Sequence, residues 1–168
     1  KRQLFEDIMS EEQKIVAAKK VYDTLCATLD SMGWTYTKGN DDFSIKSVTR
    51  GDDLPIDFYI AADAERYTLM FISNLPFVVP EDKRMEIALA ICMMNDSIIN
   101  GVFDFNVKTG RLYFRMSTNF KGISVSDEVV KYLLFVSCST VDKYNDVLLM
   151  LAKGAIDLNQ LADMINKN

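Results

Sequence analysis

Residues 43–72 read FSIKSVTRGDDLPIDFYIAADAERYTLMFI. Phe43, Ile45 and Ser47 alternate with Ser44, Lys46 and Val48. The same period of two returns at Ile56, Phe58 and Ile60 against Asp57 and Tyr59, and at Tyr67, Leu69 and Phe71 against Thr68, Met70 and Ile72. Side chains of successive strand residues point to opposite faces, so this period marks half-buried strands. Gly51-Asp52-Asp53-Leu54 and Asp63-Ala64-Glu65 supply the turns between them. Three antiparallel strands are predicted, with Trp34 to Thr37 as a short edge piece.

Upstream the period becomes helical. Ser10 with Gln13 forms a capping-box pattern, and Ile15, Ala18, Val21, Tyr22, Leu25, Cys26 and Leu29 make one apolar stripe that ends near Met32-Gly33. Leu4 to Met9 reads as a preceding turn. Downstream, Leu75 to Pro80 reads as a two-proline connector, and Pro80-Glu81-Asp82 suits a helix start. That helix is predicted to run to about Ser97. Its apolar residues, Met85, Ile87, Ala88, Leu89, Ile91, Cys92, Met94 and Ile98, cover more than one face, so burial on two sides is expected. A second hairpin sets Phe103, Phe105 and Val107 against Leu112, Phe114 and Met116 across Lys108-Thr109-Gly110. Ser124 with Asp127, or Ser126 itself, then caps a helix that from Ser126 to Ala152 is roughly 40 Å long, about the width of a globule of this size. Gly154 ends it, and Asp157 caps a short terminal helix over about 157–166. No repeat or linker divides the chain, so residues 1–168 are expected to form one α+β domain. Its two layers hold an antiparallel sheet of about five strands in the order α-β3-α-β2-α, followed by the short C-terminal helix.

Composition narrows the chemistry. The 168 residues are 49% apolar, enough for a core without disulfides or a structural metal, and they contain no histidine. Ser-His-Asp, Cys-His and histidine-ligated zinc chemistry are thereby excluded. Nineteen basic and twenty-four acidic residues give a net charge of -5 with no basic stripe, which argues against nucleic acid. Cys26, Cys92 and Cys138 form no CxxC pair and sit in apolar helical patterns, so they read as reduced core thiols. The longest apolar run, Ile87 to Met94, like Val147 to Ala152, is far short of the roughly 20 residues of a membrane span. Lys1-Arg2-Gln3 opens without a charged-then-apolar secretion pattern, and the cytoplasm is the expected compartment. There is no Walker or GxGxxG glycine pattern, and Lys108-Thr109-Gly110 lacks any accompanying Ser-x-x-Lys. No cofactor is expected.

Several stretches resemble the YbjN family: Leu75-Pro76-Phe77-Val78-Val79-Pro80-Glu81-Asp82-Lys83-Arg84, Asn95 late in the second helix, Gly101-Val102-Phe103-Asp104, and Gly110-Arg111-Leu112-Tyr113-Phe114-Arg115. The resemblance covers about residues 11–152, most clearly the second half. It implies the fold of type III secretion chaperones and a small cytoplasmic bacterial protein, often dimeric, acting by protein contact in sensory regulation. Its motifs are patterns of fold and carry no catalytic residue onto this chain. The acidic loops near Asn40 and Gly51 and the helix after Gly154 depart from the pattern.

Two kinds of site follow from the residues themselves. If Phe58, Phe71 and Phe114 face the helices, strand alternation places Tyr59, Met70, Ile72, Tyr113 and Arg115 on the sheet's other face, rimmed by Lys46, Asp57 and Asp104. Such a patch either contacts a partner or is covered by the terminal helix. Met93-Met94, from a chain with nine methionines, extends the candidate contact surface to the second helix. The other candidate is a cation site. Lys38 to Glu65 holds seven of the acidic residues, and Asp41, Asp42, Asp63 and Glu65 converge at one end of the strands. Asp52 and Asp53 lie roughly 26 Å away, at the other end of an eight-residue strand. The expectation is a non-enzymatic protein-binding module, chaperone-like or regulatory, working as a homodimer. The competing reading is a small-molecule sensor or carboxylate-based enzyme with a pocket on the sheet face.

Overall fold

The computed structural model describes residues 11–40 and 42–166. Helix α1 (Glu11–Ser31) leads into strands β1 (Thr37–Lys38), β2 (Ser44–Arg50), β3 (Pro55–Asp63) and β4 (Thr68–Val78). A 3-10 turn (Glu81–Lys83) opens helix α2 (Arg84–Ser97). Strands β5 (Val102–Asn106) and β6 (Arg111–Asn119) follow, then α3 (Asp127–Ala152) and α4 (Leu158–Asn166). The expected cap at Ser10 and the turn at Leu4 to Met9 lie outside the described residues.

All six strands join one antiparallel sheet in the order β1-β2-β3-β4-β6-β5. The sixth strand is the edge piece, displaced from Trp34–Thr37 to Thr37–Lys38. A larger departure is β4, which continues through the stretch predicted as a connector. Asn74 pairs with Tyr113 and Val78 with Arg111, so β4 spends four residues where β6 spends two. Pro76, which has no N–H to donate, falls inside that bulge, the one place in a central strand that tolerates it.

The helices cover one face. Phe58, Phe71 and Phe114 form a ring ladder across β3, β4 and β6, with centroids 5.0 Å and 6.5 Å apart, and Phe103 packs edge-on to both Phe114 and Tyr144 of α3. Gly101 (φ 85°) lets the chain enter β5 against Phe114, because a Cβ there would run into its ring. Ser126 caps α3 by accepting from the Val129 N–H. Asn95 pins α2 to β5, donating to the Phe103 carbonyl and accepting its N–H.

Helix α2 corrects the expectation of two-sided burial. Ile87, Ala90, Ile91 and Met94 are buried, while Met85, Leu89, Cys92 and Met93 are exposed. It lies at the margin of the helical layer, so its second apolar face meets solvent. Cys92 is correspondingly an exposed thiol, whereas Cys26 is buried and Cys138 partly so. Helix α4 packs on α2 and, less extensively, on α3. The sheet's second face therefore has no helix over it among the described residues.

Candidate partner-binding surface

Strand register assembles the open face. Thr37, Lys46, Tyr59, Ile72, Arg115 and Val102 are successive cross-strand partners, making one row across all six strands. A second row runs Ser44, Ala61, Met70, Ser117. Tyr113 stands opposite Asn74 on one side and Asp104 on the other. Alternation thus brings Tyr59, Met70, Ile72, Tyr113 and Arg115 together, all half-buried, with Val48 exposed toward the edge.

The patch is nearly neutral at its centre. Arg115 Nε donates to Asp104 Oδ2 at 2.8 Å, and this hydrogen bond foremost holds the guanidinium pKa above its ordinary value. Partial burial, then the fields of Asp42 and Asp63, pushes the Tyr59 phenol up, so it stays a protonated donor. Toward β1 the face hollows into an open concavity of about 600 Å³, bounded by Tyr36, Lys46, Asp57, Tyr59 and Ile72 among others. Its one carboxylate is Asp57 and its one ammonium Lys46. Among its described lining residues there is no pair of facing carboxylates.

The two methionines separate from this face and from each other. Met93 is 38% exposed, but Met94 is fully buried in the core, so the expectation that Met94 meets a partner is corrected. One residue of helix is a rotation of about 100°, enough to carry a side chain from solvent to core. Met85 and Leu89 were missed, although their spacing of four from each other and from Met93 places all three along one strip. Sequence-based reading also passed over Tyr132 and Phe135, exposed on α3.

The acidic residues do gather at one end of the sheet. Ser44 pairs with Ala61, which brings Asp42 toward Asp63. Cations and donors then engage them: Arg66 donates to Asp63 from its backbone and at 2.6 Å from its guanidinium, Lys14 reaches Glu65 at 3.0 Å, and Ser44 donates to Asp42. Asp41 lies outside the described residues. Among the described residues no group of three or more acidic or thiol side chains has metal-holding geometry, and no helix is long and apolar enough to cross a membrane.

The sequence of residues 22–150 matches the YbjN family model, described as "Putative bacterial sensory transduction regulator". The chain belongs to the YbjN family. Its fold is that of the type III secretion chaperones. The crystal structure of YbjN from E. coli, titled a "putative transcription regulator", superposes with a TM-score of 0.57 at 16% identity, covering 79% of this chain and 91% of that one. The ExsC–ExsE complex gives a TM-score of 0.57 at 14% identity, covering 78% and 95%. The HopA1–SchA chaperone–effector complex is a looser match, TM-score 0.47 at 14% identity over 81% and 94%. No curated protein matches the chain in sequence. The family match takes in every strand, about half of α1 and most of α3, and it ends before α4.

Proposed function

We propose that this YbjN-family chain is a non-enzymatic, cytoplasmic adaptor that binds an apolar segment of another protein on the open sheet face and works as a homodimer. The observation that carries the reading is the row Tyr59-Ile72-Arg115, with Met70 and Tyr113 beside it, on a sheet face that no described helix covers. Water-exposed aromatic and thioether groups at the middle of a sheet lower free energy when a partner excludes water from them, and aromatic, Met and Arg side chains are the types enriched at such contacts. One structural neighbour, the ExsC–ExsE complex, is named as a complex of two proteins, which supports the adaptor reading for this fold. The homodimer would use the outward strip of α2, where Met85, Leu89 and Met93 lie apart from the sheet face and leave it free.

Met70→Asp with Tyr113→Asp tests the face. The double variant is expected to keep the wild-type circular dichroism spectrum and to lose partner capture, while Leu89→Asp is expected to shift the light-scattering mass from dimer to monomer. Unchanged capture by the double variant removes the sheet face from the reading. An unchanged mass for Leu89→Asp removes α2 from it.

A further inference from the structure

Helix α4 lies wholly beyond the family match, which ends at Met150. Its nine residues fall short of the roughly 12–15 at which an isolated helix becomes even marginally stable in water, so it is helical because it is docked. The start is well formed. The Asp157 carboxylate accepts the Gln160 N–H at 2.8 Å, and the Gln160 side-chain oxygen accepts the Asp157 N–H at 2.9 Å, a capping box. Leu158, Leu161 and Ile165 form its inward stripe. Leu161 is fully buried, and the other two pack half-buried on the same core.

The seat is made by α2 and α3. Gly154, at the end of α3, comes against Lys83, at the start of α2, so α4 begins where these two helices meet. The tether is short and exposed at Gly154, Ala155 and Asp157, and Gly154 turns it with φ 70°. Glu86 foremost, and Asp82 and Asp157 with it, hold the Lys83 pKa above its ordinary value, and Asp157 is the residue that caps α4, so an acidic N-terminal cap suits this end of the seat. Beyond α4, Met85 and Leu89 leave α2 with apolar surface in solvent.

We propose that the seat on α2 and α3 is a receptor for amphipathic helices, that α4 is its internal occupant, and that a partner protein displaces α4 by presenting a helix with an acidic N-terminal cap and apolar residues at the spacing of Leu158, Leu161 and Ile165. Helix α4 itself displays the chemistry the seat accepts. It is anchored by one fully buried side chain and leaves on a glycine tether, and every strand of the sheet lies within the matched residues 22–150. This surface is separate from the sheet face, and the inference does not depend on that reading.

Hydrogen exchange on the full wild-type chain is the first test: amides of residues 161–165 are expected to exchange at least about tenfold faster than those of residues 137–148 through local opening. Equal protection overturns the proposal. The second uses a labelled peptide of residues 155–168. It is expected to bind the full-length Leu161→Asp variant at least about tenfold more tightly than the wild type, whose tethered α4 competes at high effective concentration. Binding to neither, or equally to both, overturns the proposal. So does global unfolding of Leu161→Asp, which would make α4 part of the fold and not its cover. Protection of α4 that appears only as the protein dimerises would overturn it in favour of exchange between two copies.

Discussion

The two faces of the sheet are built from the same strands and differ in what they touch. On β6, Phe114 is fully buried among Phe71 and Phe103, while its neighbour Tyr113 is half-exposed opposite Asn74 and Asp104. The covered face joins aromatic rings from four strands and α3 into a single core. Its mate carries side chains of similar size that meet solvent. Apolar content alone therefore does not separate stability from function in this domain; what separates them is whether a helix lies over the residue.

The sharpest way to break that contrast is to truncate neighbours. Phe114→Ala is expected to cost about 3–5 kcal/mol in urea unfolding, because it leaves a cavity that surrounding rings fill only partly. Tyr113→Ala, one residue along and on the other face, is expected to cost about 1 kcal/mol or less. Equal losses would mean that the second face is packed in solution.

Asn145 is the covered side's exception. It sits on α3 with 1% exposure, and neither its amide nitrogen nor its oxygen has a hydrogen-bond partner among the described residues. Desolvating an amide without a partner is unfavourable, so Asn145→Leu is expected to raise stability by about 1–2 kcal/mol, read as a higher urea midpoint at unchanged slope. A lower midpoint would show that the amide is satisfied in solution, by water among other donors, or that leucine overfills the site.

Most of this contrast was legible in the sequence. Alternation alone assigned Tyr59, Met70, Ile72, Tyr113 and Arg115 to one face, since parity along a strand is fixed once one residue is known to be inside. The helices were less legible because an apolar helical residue does not announce its neighbour. Met93 and Met94 are chemically identical, and only the position of α2 at the layer's margin decides that one is exposed and the other buried. Pro76 misled for a different reason. Proline punctuates local structure, yet a two-residue excess on β4 absorbed it without ending the strand. Nor could local sequence show that Lys14 of α1 crosses to Glu65, 51 positions away.

The smallest expected effect comes from pH near neutrality, and it follows from where the ionisable groups lie. No side chain type in the chain has an ordinary pKa between about 5 and 8, because histidine is missing. The shifted carboxylates are at the rim of the structure. Burial works to raise the pKa of Asp63, but hydrogen bonds from the Arg66 backbone and side chain more than offset it, leaving the group below its usual 3.8. A depressed carboxylate contributes stability that is full above its unfolded pKa and is lost as the pH falls through the folded one, so the loss belongs below about pH 4. At the alkaline end the sign reverses. Burial foremost, with Asp142, pushes the Cys138 thiol from 9.0 to about 12, and burial foremost raises the Tyr22 phenol to about 12. These groups favour the fold while protonated, and that contribution declines as pH rises above about 9. Differential scanning fluorimetry is therefore expected to give a melting temperature constant to within about 2 °C from pH 5 to pH 8.5, with losses on both sides. A step inside that range would require a group whose pKa is shifted into it, and hydrogen exchange at the same pH values would show whether it belongs to the covered face or the open one.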